Sequence, residues 1–268
     1  MNYCWKLGLV LAALMGWLAV PVFGESVTVV TPYYGTEENH YQNREYGLSL
    51  KDSQRMKGLF IQSVKPETYQ WNIFLYQTQD INYSDLHGVN FIYDRYLGKP
   101  EEKVVLGFGM NYLEMDLAGK NVPLAAGRLD GLYLDMSIFS PYLRLGKYYH
   151  FGEDKLRTTM LPWFGAQVDY IEGSGRVDFP GPGAIDFTMD DDPFSWIAGV
   201  NLKLNAHRFL QIEGKYAAAY HDGTFQDKHS AIVNLFFSRR LGVSYRYHHQ
   251  ETNTGTDSYQ IFGIAMVF

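Results

Sequence analysis

The stretch Phe194-Ser195-Trp196-Ile197-Ala198-Gly199-Val200-Asn201-Leu202-Lys203-Leu204 changes character at almost every step. Phe194, Trp196, Ala198, Val200, Leu202 and Leu204 share one parity, and Ser195, Ile197, Gly199, Asn201 and Lys203 share the other. A strand points successive side chains to opposite faces, so this period of two reads as a β-strand with one apolar face. The next segment repeats it, with Leu210, Ile212, Gly214, Tyr216, Ala218 and Tyr220 against Gln211, Glu213, Lys215, Ala217 and Ala219. Asn205-Ala206-His207 between them has the length of a hairpin connection.

The alternation extends both ways. Tyr69, Trp71, Ile73 and Leu75 oppose Gln70 and Asn72; Val104, Leu106, Phe108, Met110 and Tyr112 oppose Gly107, Gly109 and Asn111. Phe164, Ala166, Val168 and Tyr170 oppose Gln167 and Asp169; Val243, Tyr245 and Tyr247 oppose Ser244, Arg246 and His248. One segment changes phase: Leu132, Leu134, Met136 and Ile138 give way to Leu143 and Leu145, and Phe139-Ser140-Pro141 at the shift reads as a bulge. About twelve strands result, with ten to fourteen as the range: 44–52, 56–64, 69–79, 86–97, 102–117, 129–146, 157–172, 193–204, 208–221, 229–237, 241–250 and 258–268. Connections at 65–68, 98–101, 147–156, 205–207 and 238–240 are mostly short; those at 80–85, 118–128, 173–192, 222–228 and 251–257 are mostly longer. A transmembrane barrel shows this rhythm, with short periplasmic turns and long outer loops.

Composition narrows the class. The 268 residues are 46% hydrophobic, 16% aromatic and 19% charged, with net charge -6. That is too apolar for a disordered chain. The acidic balance speaks against non-specific nucleic-acid binding. A helical membrane protein needs several apolar runs of about 20 residues, and only the N-terminus comes close. There Lys6 precedes an apolar Leu7–Val20, and Val22-Phe23-Gly24 fits a cleavage site, so 1–24 reads as a secretory signal peptide. Cys4, the only cysteine, lies within it. Residues 25–43 then read as an N-terminal periplasmic segment and 44–268 as the barrel. A secreted chain with no disulfide suits a periplasmic or outer-membrane setting.

The last segment is Tyr259-Gln260-Ile261-Phe262-Gly263-Ile264-Ala265-Met266-Val267-Phe268, whose Phe262, Ile264, Met266 and Phe268 form an apolar face ending on an aromatic residue. It resembles the closing strand of bacterial outer-membrane β-barrel proteins. The resemblance implies residence in the outer membrane, and recognition of Phe262, Ile264, Met266 and Phe268 by the barrel-insertion machinery. The fold class expected is all-β: a transmembrane antiparallel up-and-down barrel, with both termini periplasmic. Closure is required because every backbone polar group in hydrocarbon must be paired. Tyr69, Trp71, Tyr93, Tyr112, Tyr170, Trp196, Tyr220 and Tyr245 are candidate girdle residues at the membrane interfaces.

The opposite parity supplies a candidate lumen lining: Lys51, Asn72, Asp94, Asn111, Asp135, Gln167, Asp169, Lys203, Glu213, Lys215, Arg246 and His248. Twelve strands lie between barrels filled by side chains and porins with water-filled channels. At the expected outer rim, His221, His229, His248 and His249 gather near Asp222 and Asp227. His221, His248 and Asp257 are the candidates for acid/base catalysis there. The last hairpin, His248-His249-Gln250-Glu251 through Gly255-Thr256-Asp257-Ser258-Tyr259, resembles that of outer-membrane lipid A deacylases, which implies a His-x-Ser pair followed by an acid. Asp257 matches the acid, but Gln250 and Glu251 stand where the nucleophile would follow His248 or His249. Asp190, Asp191 and Asp192 are candidate Ca²⁺ ligands without the spacing of a calcium loop, and the 173–192 segment with Pro180-Gly181-Pro182-Gly183 reads as an acidic loop. Three functions follow: a narrow channel or uptake protein for small solutes, an acyl hydrolase acting on outer-leaflet lipid, and a non-conducting structural or adhesive barrel. The first is favoured, with no cofactor and no bound metal expected. The partners expected are outer-membrane lipid, lipopolysaccharide, the insertion machinery and small solutes.

Overall fold

The computed structural model describes residues 26–43, 48–65, 68–79, 84–98, 103–124, 127–152, 157–206, 209–221, 223–252 and 255–268. The expected signal peptide lies outside the described residues, as does Asp222. Fifteen strands follow in order: β1 (Val27–Asn43), β2 (Leu48–Lys65), β3 (Tyr69–Gln79), β4 (Ser84–Leu97), β5 (Val104–Leu124), β6 (Gly127–Lys147), β7 (Tyr149–Phe151), β8 (Arg157–Val168), β9 (Tyr170–Phe179), β10 (Gly183–Asp191), β11 (Phe194–Asn205), β12 (Leu210–His221), β13 (Thr224–Phe236), β14 (Leu241–Thr252) and β15 (Gly255–Val267). Each pairs antiparallel with its neighbours, and β6 pairs with β8 as well as β9.

That double pairing closes a twelve-stranded barrel running β1 to β6, then β8, then β11 to β15, which returns to β1. The seam keeps one register from Val29↔Val267 to Tyr41↔Gly255, with a gap at Thr31 and Pro32. Beyond it the Thr28 and Phe268 amides each donate to the other's carbonyl, at 3.2 and 2.8 Å. Both chain ends therefore leave from one end of the barrel, the terminal end; the other is the distal end.

Parity decides which face meets what. Leu143, Phe164, Trp196, Leu202, Val243, Phe262 and Ile264 all point outward and are exposed. Such a belt of exposed large apolar side chains is what hydrocarbon requires of a transmembrane barrel. The expected girdle residues share this outward face, and Trp196 stands opposite Tyr220 in the register. Strands of 21 residues, as in β5 and β6, exceed the roughly 9–11 needed to span a bilayer. Their distal ends rise past the apolar belt and join β9 and β10 in a four-stranded sheet above it.

This distal sheet corrects two expectations. The β5–β6 register runs unbroken from Val104↔Lys147 to Lys120↔Gly131, so there is no bulge at 139–141. The apolar parity changes because the surroundings change. Within the belt the outward face meets lipid; above it the outward face is polar and the inner face carries Leu117, Leu132, Leu134, Met136, Ile138 and Phe187. Residues 173–192 are not a loop but most of the β9–β10 hairpin, turned at Pro180-Gly181-Pro182, with Gly181 at φ 104°. Gly173-Ser174-Gly175 lies in β9 for packing: a Cβ at Gly175 would run into the Phe187 ring that crosses it.

Further corrections concern the N-terminal half and the connections. Within the expected periplasmic segment 25–43, Val27–Asn43 is a barrel strand: β1 fills the seam between β2 and β15. Residues 48–52 and 56–64 belong to the single strand β2, while 44–47 lie outside the described residues, and the barrel count remains twelve. The longer connections expected at 118–128, 222–228 and 251–257 are largely strand.

Candidate functional site

The interior is crowded at mid-height. Asp94 on β4 and Arg144 on β6 both face inward and reach each other over β5. Arg144 donates from Nε to Oδ1 at 3.0 Å and from Nη2 to Oδ1 and Oδ2 at 2.7 and 2.6 Å. Gly107 on β5 makes the crossing possible, since a Cβ there would sit 2.5 Å from Asp94 and 2.6 Å from Arg144. Asp94 is 0% exposed and Arg144 5%. The guanidinium also stacks 5.2 Å over the Trp163 ring of β8, whose Nε1 donates to Asn201 at 3.3 Å.

A second cation crosses from the other side. Arg246 on β14 lies 4.5 Å from the Phe60 ring and 4.6 Å from the Phe74 ring, on β2 and β3. It reaches them past β15 and β1, which only a path through the interior allows. It is 8% exposed. Tyr33, Met56, Phe60, Phe74 and Ile261 form an apolar cluster beneath it, with Tyr76 and Tyr259 packed against it. A cation on two desolvated rings is held at roughly 2 kcal/mol or more.

Between these sides runs a polar belt. Gln211 donates to Asn205 (3.2 Å), Asn234 to Gln211 (3.0 Å) and Ser244 to Asn234 (2.6 Å); the Tyr33 hydroxyl bonds Ser244. Lys215 and Glu213 pair at 2.8 Å next to Lys203.

The expected lining residues fall into two groups. Asn72, Asp94, Asn111, Gln167, Lys203, Glu213, Lys215, Arg246 and His248 share the inward face, and Asp169 accepts from Gln167 at 2.6 Å. Asn111 accepts a short hydrogen bond from Asn90. Lys51 and Asp135 point outward instead. Lys51 stands opposite His40 one step out of phase with the buried Gln54 and Met56, and Asp135 stands opposite Asp116 above the apolar belt. Cutting β2 in two puts Lys51 on the wrong face, and Asp135 is misplaced because the apolar parity has already inverted at its height. Arg144 escapes the sequence reading for the same reason: it lies between Leu143 and Leu145, where inward parity is legible once no bulge intervenes.

The rim histidines do not converge. His221 Nδ1 lies 2.7 Å from the Phe194 carbonyl. His248 points inward and stacks on Tyr259 at 4.9 Å, opposite Ser230. His229 and His249 face outward with rings 4.9 Å apart. Asp257 hydrogen-bonds Glu37. Asp190 and Asp191 alternate across β10, so their carboxylates diverge, and Asp191 caps the Asp192 amide at 3.0 Å. Among the described residues no group of three or more His, Asp or Glu side chains is arranged to hold a metal ion. A groove of about 640 Å³ on the distal sheet is lined by Asp116, Tyr133, Asp135, Arg176, Asp186 and Thr188, among others.

The closed twelve-stranded sheet can be set beside solved structures. The translocator domain of the autotransporter NalP from Neisseria meningitidis superposes with a TM-score of 0.53 at 10% identity, over 99% of this chain and 96% of that one. The transport unit of the autotransporter AIDA-I from Escherichia coli gives 0.51 at 10% identity, over 100% and 98%. The chain has the outer-membrane β-barrel fold. Identities this low carry the barrel's architecture and nothing of its cargo. No protein-family model matches the sequence, and no curated protein matches it.

Proposed function

We propose that this outer-membrane barrel is shut at mid-height by its own side chains and works through the sheet it presents at the cell surface. The terminal end faces the periplasm, after removal of the signal peptide, and the distal sheet faces outward. Phe262, Ile264, Met266 and Phe268 serve as the insertion signal. The observation that carries the reading is Arg246 lying on Phe60 and Phe74 while 8% exposed. A guanidinium lining an open pore would be wet.

A narrow channel for small solutes is the second reading. Gly199, Ala217 and Ala219 make one wall low, and the Lys215 side chain there keeps 21% of its surface exposed. Planar-bilayer recording separates the two. The purified barrel is expected to give no current steps, and a variant carrying Arg246→Ala with Phe74→Ala to give them. Steady conductance from the unmodified protein would overturn the closed reading and establish the channel.

A further inference from the structure

The outward placement of Lys51 exposes a pattern on β2. Lys51, Ser53, Arg55 and Lys57 lie on one face of the strand, all outward and all exposed. The next two outward residues are Leu59 and Ile61, which belong to the apolar belt. Lys57 stands beside Tyr34, which is 58% exposed on the neighbouring strand. The three cations therefore start where the hydrocarbon ends and climb about 20 Å along the strand.

Surrounding charge makes the column distinctive. The chain carries net charge -6. On other strands the outward positions above the belt carry both signs: Asp85 on β4, Glu114 and Asp116 on β5, Asp135 on β6 and Glu251 on β14 stand with Lys120 on β5 and with Arg176 on β9, which pairs with Asp178 at 2.8 Å. Beside the column the neighbouring strands offer Thr36, His40, Gln77 and Gln79 and, among the described residues, one carboxylate, Glu38, opposite Ser53. Phosphate groups sit at this depth of a bilayer, and arginine and lysine are the side chains that bind them.

We infer that Lys51, Arg55 and Lys57 form a binding site for a phosphorylated glycolipid of the outer leaflet, of the lipopolysaccharide class. Its acyl chains run down beside Tyr34, Leu59 and Ile61, and its phosphates meet the cations. The column is long enough for more than one phosphate on a single headgroup. The site rests on the proposed orientation, because only an outward distal end puts this part of β2 in that leaflet.

The test uses the full-length barrel, purified, delipidated and returned to detergent. Binding of bisphosphorylated lipid A is compared with binding of the same lipid after dephosphorylation, with inorganic phosphate as competitor. The unmodified protein is expected to retain the phosphorylated lipid. The Lys51→Gln, Arg55→Gln, Lys57→Gln variant should weaken it by about tenfold or more, and Lys120→Gln on β5 should leave it unchanged. Heat-modifiable migration confirms that each variant is folded; Arg55→Gln alone serves if the triple variant is not. Equal affinity in the triple variant, equal retention of the dephosphorylated lipid, or full competition by inorganic phosphate would each overturn the site. Thiol labelling of the Gly181→Cys variant on intact cells tests orientation separately. Absence of label on that variant would sink the orientation, even if the cations bound phosphate in detergent.

Discussion

Gly107 shows how a single residue can decide what a barrel interior looks like. Its missing Cβ is the space through which Arg144 reaches Asp94 over an intervening strand. Removing one partner of a buried ion pair strands the other, at a cost of about 3–5 kcal/mol, whereas replacing both with apolar residues is often neutral. Arg144→Met alone should therefore lower the unfolding midpoint of the folded barrel on heat-modifiable gels. Adding Asp94→Leu should restore most of it. If the double variant is no better than the single one, the pair is not coupled as described. Gly107→Val should act on the same contact without removing a charge. Its Cβ forces Arg144 aside, so it should destabilise like Arg144→Met and add little to it. The Arg246 contact has no counterpart in sequence logic: parity says that Arg246, Phe60 and Phe74 face inward, but not that one lies on the others. Such contacts join strands that are not neighbours, and only the closed geometry brings them together.

Among the elements, legibility follows the environment of each strand. The segment 194–220 is readable because both its strands lie within the apolar belt, where one face must be apolar and the other is not. β1 is not, because Pro32, Gly35, Glu37 and His40 interrupt the apolar runs that mark a strand. Its outward face leaves the lipid early, and its inward face is polar at that height. In β6 the sequence marks the right residues and suggests the wrong cause, since a strand that crosses from lipid to water exchanges its faces with no change in its backbone. The β9–β10 hairpin hides for the same reason. It lies wholly above the belt, so its glycines and carboxylates imitate a loop. Its pairing predicts that it is separable. β10 bonds only to β9, while β11 bonds to β8 and β8 to β6. Replacing residues 171–191 with a short Gly-Ser linker should leave a heat-modifiable barrel in the membrane fraction. Protein recovered only as unfolded aggregate would show that the distal sheet is needed for closure.

At the scale of the whole molecule, stability comes from having no edge. A sheet in hydrocarbon cannot leave a row of N–H and C=O groups unpaired, at several kcal/mol for each group. Closure thus makes strands unequal in consequence. A hairpin attached by one edge is dispensable, whereas a strand bonded on both sides is not. β1 is the sharpest case, because the sequence reads it as part of an N-terminal periplasmic segment while the structure bonds it to β2 over Val27–Asn43 and to β15 over most of the same length. Deleting residues 26–43 behind an intact signal peptide would leave β2 and β15 with bare edges facing lipid. To restore closure they would have to pair with each other, forming an eleven-stranded barrel with β2 and β15 running parallel. Every other pair in this barrel is antiparallel, and its interior is already filled by the crossings of Arg144 and Arg246. The expected outcome is loss of the heat-modifiable species and proteolysis of the chain, in contrast to the hairpin deletion. A deletion protein that still migrates as a compact, protease-resistant barrel would mean that the seam at β1 is an attachment rather than the closing joint.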